Sequence, residues 1–135
     1  MKSLFNSKYS EPSLSFGLLV LRLALGGIML NHGFDKLTHF NQYLAMFKDP
    51  FHMNNTISFG LLVFAEFFCA LLVVVGLLTR LACVPLIIAM GVALFMAHKG
   101  HIFSDGETAA IFFFGYIVLL FTGPGKYSLD KAIGK

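Results

Sequence analysis

The sequence predicts an all-α membrane protein, a bundle of four transmembrane helices with a short interfacial helix between the first and second spans. Three observations carry that prediction. Of 135 residues, 57% are hydrophobic and 13% charged, and the mean hydropathy of +0.78 exceeds what a soluble domain of this size carries. Four stretches, 16–37, 57–78, 80–98 and 107–122, read as long enough to cross a hydrocarbon layer of about 30 Å at about 1.5 Å per helical residue. Within them "ISFGLLVFAEFFCALLVVVGLL" holds one charge and "LIIAMGVALFMA" none, which neither a strand nor a soluble amphipathic helix requires. A single membrane domain over 1–135 follows.

Along the chain, "MKSLFNSKYSEPSL" is polar for too long, and lacks a small-residue cleavage site, to be a removable signal peptide. The first helix is therefore expected to stay in the mature protein. Between the first two spans, Phe40, Tyr43, Leu44 and Phe47 recur at i, i+3, i+4 and i+7 before Asp49-Pro50, the pattern of a short helix lying on the membrane. Only "GLLTRLA" separates the second and third spans, so those helices must be antiparallel neighbours. In "KGHIFSDG", Ser104 or Asp105 is available to cap the fourth helix, and Glu107 suits its positive end. Gly123-Pro124-Gly125 then stops that helix, and Ser128 can cap a short turn in which Asp130 reaches toward Arg80, a structural clasp.

The sequence pI of 9.0 is no sign of nucleic-acid binding, because the basic residues sit at the ends of the spans, where they report orientation. With four spans, Lys2, Lys8, Arg80, Lys126, Lys131 and Lys135 share the side of the N-terminus, against Lys36, Lys48 and Lys99 on the other. That bias places both termini in the cytoplasm. Cys69 and Cys83, on different helices, form no CxxC pair and read as buried apolar residues.

Charges inside spans are costly, about 2.5–3.5 kcal/mol each at a helix centre, so they face the protein interior and find partners. At about 1.5 Å per residue, Arg22 lies roughly 9 Å and His32 roughly 24 Å from the cytoplasmic side, and Glu66 roughly 13 Å from the outer side. His98 returns to nearly the depth of His32, and Glu107 opens the fourth helix on that side. On the first helix Arg22, Gly26, Met29, Gly33 and Lys36 share one face, with His32 beside Lys36. Gly26 and Gly33 would admit a neighbouring backbone or a flat ligand.

Several readings are open for these groups. Arg22 with Glu66 is most simply an ion pair joining two helices, and Lys36 could merely snorkel to the outer headgroups. His32 and His98 at matched depth beside Glu66 and Glu107 point to a functional cluster. Imidazoles and carboxylates suit zinc or iron, yet no metal-ligand spacing such as HExxH occurs, which disfavours a metal. A quinone site fits the residue types better. His32 and Lys36 would donate to carbonyl oxygens, Glu66, Glu107 and His98 would handle protons, and aromatics such as Phe51, Phe59, Phe112, Phe113 and Tyr116 would form walls.

"LLVLRLALGGIMLNHGFDKL", "FAEFFCALLVVVGLLTRLA", His98, Glu107 and "FTGPGKYSLD" together resemble the DoxX family of small four-helix membrane proteins, over roughly residues 16–130. The resemblance marks Arg22, His32, Gly33, Lys36, Glu66, Arg80, His98, Glu107 and the segment 123–130 as the family's characteristic polar positions. Relatives include the membrane subunit of a thiosulfate:quinone oxidoreductase and a protein associated with superoxide dismutase at the inner membrane. The resemblance thus implies an inner-membrane component of an oxidoreductase system.

The leading expectation is a quinone or similar small redox ligand bound near the outer face, with Glu66, His98 and Glu107 catalytic and His32, Gly33 and Lys36 binding it. Electrons would come from a partner protein, since the chain has no redox cysteine pair, flavin motif or haem attachment motif. The bilayer is the other partner, with a homo-oligomer compatible. The alternative is a non-enzymatic scaffold, or a small ion or metal carrier, in which the buried charges are structural or line a pathway.

Overall fold

The computed structural model describes residues 5–47, 52–97, 102–103 and 106–134, and every regular element in them is a helix. Helix α1 (Glu11–Thr38) starts at Glu11 instead of residue 16. Ser10 is extended and its hydroxyl accepts the Ser13 N–H, proline sits in the first turn, and Glu11 complements the positive helix end. The helix therefore outruns its apolar segment. Helix α2 (Phe40–Met46) is the short helix predicted between the first two spans, while its predicted stop at Asp49-Pro50 lies outside the described residues. Asp35 ties it to the end of α1 by accepting the Tyr43 hydroxyl and lying 3.4 Å from the His39 ring.

Helix α3 (Asn55–Val75) is capped by Asn54, whose side chain accepts from the Thr56 and Ile57 N–H groups. Its middle is a π-helical turn, Ala65–Cys69. Gly76 ends it in the left-handed conformation, φ 74°, which glycine adopts without a Cβ penalty. Helix α4 (Thr79–Val92) begins at once and runs on into a second π turn, Ala93–Ala97. The expected tight antiparallel pairing of these two helices is thus present. Helix α5 (Glu107–Thr122) has 16 residues, about 24 Å at about 1.5 Å per residue. Three helices, Glu11–Thr38, Asn55–Val75 and Thr79–Met96, are long and apolar enough to span a bilayer, and α5 is a shorter apolar helix. Helix α6 (Leu129–Ala132) is capped by Ser128, which accepts from the Lys131 N–H.

The glycine-lined face of α1 packs on α3. A Cβ on Gly33 would come within 2.5 Å of the Glu66 carbonyl, and one on Gly26 within 3.1 Å of the Ala70 oxygen, so the two backbones approach where side chains would separate them. These contacts set the register of α1 against α3. The core gathers Leu25, Met29, Cys69, Val73, Cys83, Leu86, Phe112, Tyr116 and Leu119, and both cysteines are buried free thiols. The Tyr116 hydroxyl donates to the Leu25 carbonyl at 3.0 Å, which satisfies a polar group inside the apolar core. The outer faces are apolar too, with Leu61, Phe68, Leu81, Ile88, Ile111 and Phe121 exposed. A molecule apolar on both its inner and outer surfaces suits lipid as its solvent.

Candidate functional site

Glu66 is 3% exposed, on the π turn of α3. Lys36 holds it with both carboxylate oxygens, Nζ lying 2.7 Å from Oε2 and 3.0 Å from Oε1. The geometry follows from two local causes. Gly33 presses α1 against the Glu66 backbone, and side chains on a helix lean toward its N-terminus, so Lys36, one turn further along α1, leans back over Glu66. Its ammonium turns inward to an ion pair, not outward to headgroups. The π turn inserts an extra residue into the helical repeat and re-aims the side chains it carries, a device frequent at functional sites.

His32, Lys36, Glu66, Met29, Met90, Thr108, Ala109 and Phe112 enclose a cleft of about 180 Å³. Residues from α1, α3, α4 and α5 therefore converge there. The His32 ring is exposed and stands edge-on to Phe112, with centroids 6.4 Å apart and an interplanar angle of 89°. Its side chain thus forms one rim of the cleft and Phe112 the facing wall.

Of the predicted site residues, the structure brings His32, Lys36 and Glu66 together. Gly33 is not open to a ligand, because the space its missing side chain leaves is filled by the backbone of α3. Glu107 is exposed in the first turn of α5, next to Thr108 at the cleft. His98, Ser104, Asp105 and Phe51 lie outside the described residues. Thr108 and Met90 were not anticipated. Thr108 has a signal in the sequence, as a hydroxyl in the first turn of an otherwise apolar helix, whereas Met90 has none. Among the described residues no group of three or more His, Cys, Asp or Glu side chains is placed to hold a metal ion.

The expected Arg22–Glu66 ion pair is replaced by two separate arrangements. Arg22, 1% exposed, donates from Nη2 to the Tyr127 carbonyl at 2.6 Å, at the level of Gly76, whose absent side chain makes room for the guanidinium. Arg22 lies nearly four helical turns from Lys36 along α1, too far for Glu66 to reach both levels. Asp130 lies near enough to Arg22 for their charges to interact. Its carboxylate accepts from the Leu78 N–H at 2.7 Å and the Thr79 N–H at 3.0 Å, while the Asp130 N–H donates to the Gly76 carbonyl. The Gly-Pro-Gly tail is therefore a clasp, as expected, but Asp130 closes it on the backbone N–H groups of the α3–α4 turn in place of the expected Arg80, whose guanidinium lies by the Phe121 carbonyl. Lys126 N–H to Ser15 Oγ at 3.2 Å brings the start of α1 into the same clasp.

The fold and cleft define a helical membrane protein with a buried glutamate held by a half-buried lysine at a small pocket in its bundle. Sequence comparison specifies the class further. The DoxX family model matches residues 17–99, and the chain belongs to the DoxX family. It is similar to the uncharacterized membrane protein Rv3486 of Mycobacterium tuberculosis, 30% identical over 133 residues, covering 87% of this chain and 82% of that protein. It is likewise similar to the inner membrane protein YqjF of Escherichia coli, 28% identical over 129 residues, covering 88% of this chain and 93% of that protein. No solved structure matches.

Proposed function

We propose that the chain is an inner-membrane component of an oxidoreductase system that binds a quinone, or a similar small redox ligand, in the cleft between α1, α3, α4 and α5. The observation that carries this reading is a buried carboxylate held by an ammonium at the edge of a partly apolar cleft, with an imidazole on the rim. The residues fit a ring carbonyl. Two of the three Lys36 N–H donors serve Glu66, leaving one for a ligand, and His32, one turn before Lys36 on α1, lines the same cleft with an imidazole. Met29, Met90 and Phe112 offer apolar contact to a flat ring. A cleft of about 180 Å³ suits a headgroup, and an isoprenoid tail would run along the apolar outer faces.

A bound quinone would supply two-electron, two-proton chemistry, with the electrons coming from a partner protein. Within the chain, Lys36 donates to and orients the carbonyl oxygen, the Glu66 carboxylate holds the Lys36 ammonium in place by accepting from it, and His32 exchanges protons at the exposed rim. In this reading α5 crosses the membrane as a short fourth span and both termini are cytoplasmic.

Membrane vesicles carrying the protein with its native partners test the proposal. His32→Ala and Glu66→Gln should each abolish its quinone-linked electron flow while leaving folded protein in the membrane. Intact flow in both variants would eliminate the redox reading and leave the Lys36–Glu66 pair as a structural strut.

A further inference from the structure

At the opposite end of the bundle, a cavity of about 560 Å³ lies between the first turn of α4, the last turn of α5 and the clasp. Arg80 and Lys131 stand on its walls, and Leu78 and Leu81 line it toward the apolar outer face. Arg80 is positioned but hardly used. Its guanidinium reaches the Phe121 carbonyl at 3.5 Å, a distance at which a hydrogen bond is weak. Gly123, at φ 79°, passes beneath it so closely that a Cβ would lie 3.2 Å from Nε and Nη2.

Asp130 also borders this cavity, yet its carboxylate oxygens are engaged by the Leu78 and Thr79 N–H groups. Among the described residues neither Arg80 nor Lys131 has an ion-pair partner. Two cations therefore line one cavity together with exposed leucines, at the level where the spans end. That is the amphipathic pattern of a basic pocket for a lipid headgroup, with the charges above and the apolar surface below.

We propose that this cavity seats the phosphate of an anionic phospholipid between Arg80 and Lys131, with the acyl chains lying along Leu81 and Phe121. A zwitterionic lipid would bring its own ammonium against the same two cations and bind less well. This site is independent of the His32 cleft.

Native mass spectrometry of the full-length protein, released from detergent with added phosphatidylglycerol or phosphatidylcholine, tests it. Wild type should retain phosphatidylglycerol in preference to phosphatidylcholine. Arg80→Gln and Lys131→Gln should each lower the retained fraction about fivefold, and Lys8→Gln, at the same end but off the cavity, should leave it unchanged. Lys131 is exposed, so its variant keeps the fold if the Arg80 variant loses helicity. Equal retention in Lys131→Gln and wild type, or equal retention of the two lipids, would overturn the proposal. Displacement of phosphatidylglycerol by millimolar inorganic phosphate would overturn it in favour of a free-anion site.

Discussion

Replacing Lys36 by Met removes the ammonium and leaves Glu66, 3% exposed, without its partner. At about 3 Å and an effective dielectric constant of about 20, the pair attracts by about 5–6 kcal/mol, much of it offset by the desolvation of both ions. The intact pair therefore contributes little net stability, whereas breaking it from one side should cost about 3–5 kcal/mol. Adding Glu66→Gln to Lys36→Met removes the uncompensated charge and should recover most of that loss. The assay is equilibrium unfolding in mixed detergent micelles, followed by far-ultraviolet circular dichroism, on wild type, both single variants and the double variant. The expected order is wild type and double variant close together, with Lys36→Met well below. If Lys36→Met unfolds at the wild-type midpoint, or the double variant falls as far as the sum of the singles, the pair is not coupled.

Gly33→Ala places a methyl group 2.5 Å from the Glu66 backbone and should destabilise by about 1–3 kcal/mol, whereas Gly27→Ala, with nothing within 4 Å, should be neutral or stabilising by up to about 1 kcal/mol; the same unfolding assay separates them. Asp130→Ala removes the acceptor for two backbone N–H groups at the start of α4 and should cost about 1–3 kcal/mol, read as lost stability with Arg80→Ala as the comparison. Tyr43 donates to Asp35, and that hydrogen bond, ahead of burial and the Asp35 charge, raises its phenol above the ordinary value of 10.0. Because the folded-state value is the higher one, its stabilising effect is complete below pH 10 and lost as pH rises through the raised value. Ultraviolet difference titration should show a late tyrosine step that is lost in Tyr43→Phe and moves earlier in Asp35→Asn.

Much of this architecture is readable from residue pattern. The apolar runs, the short helix after α1, the tight "GLLTRLA" turn and the glycine-lined face with Gly26 and Gly33 all follow from periodicity and composition. So does the grouping of His32, Lys36 and Glu66 at one end. The partner of Glu66 does not, because depth measured along straight helices ignores how the helices are packed. Gly33 sets the register of α1 against α3, and the backward lean of Lys36 together with the π turn decides which cation reaches the carboxylate. Neither is visible in a one-dimensional count. The true start of α1 was legible in principle, since Ser10, Glu11 and Pro12 form an ordinary helix-start signature. It is hidden only if the helix is taken to end where the apolar residues do. The Arg22 contact with Tyr127 was not legible, because it depends on the tail folding back through Gly123 and Gly125, at φ 79° and 83°.

His32, Lys36 and Glu66 are proposed to form a ligand site for a quinone. The most direct measurement is the quinone content of the full-length protein purified in mild detergent from its native membrane, set beside His32→Ala and Glu66→Gln prepared in the same way. Near-stoichiometric quinone is expected in the wild type and at least a tenfold loss in each variant, equivalent to about 1.4 kcal/mol of binding free energy. Quinone absent from folded wild type, or retained equally in all three, would contradict it.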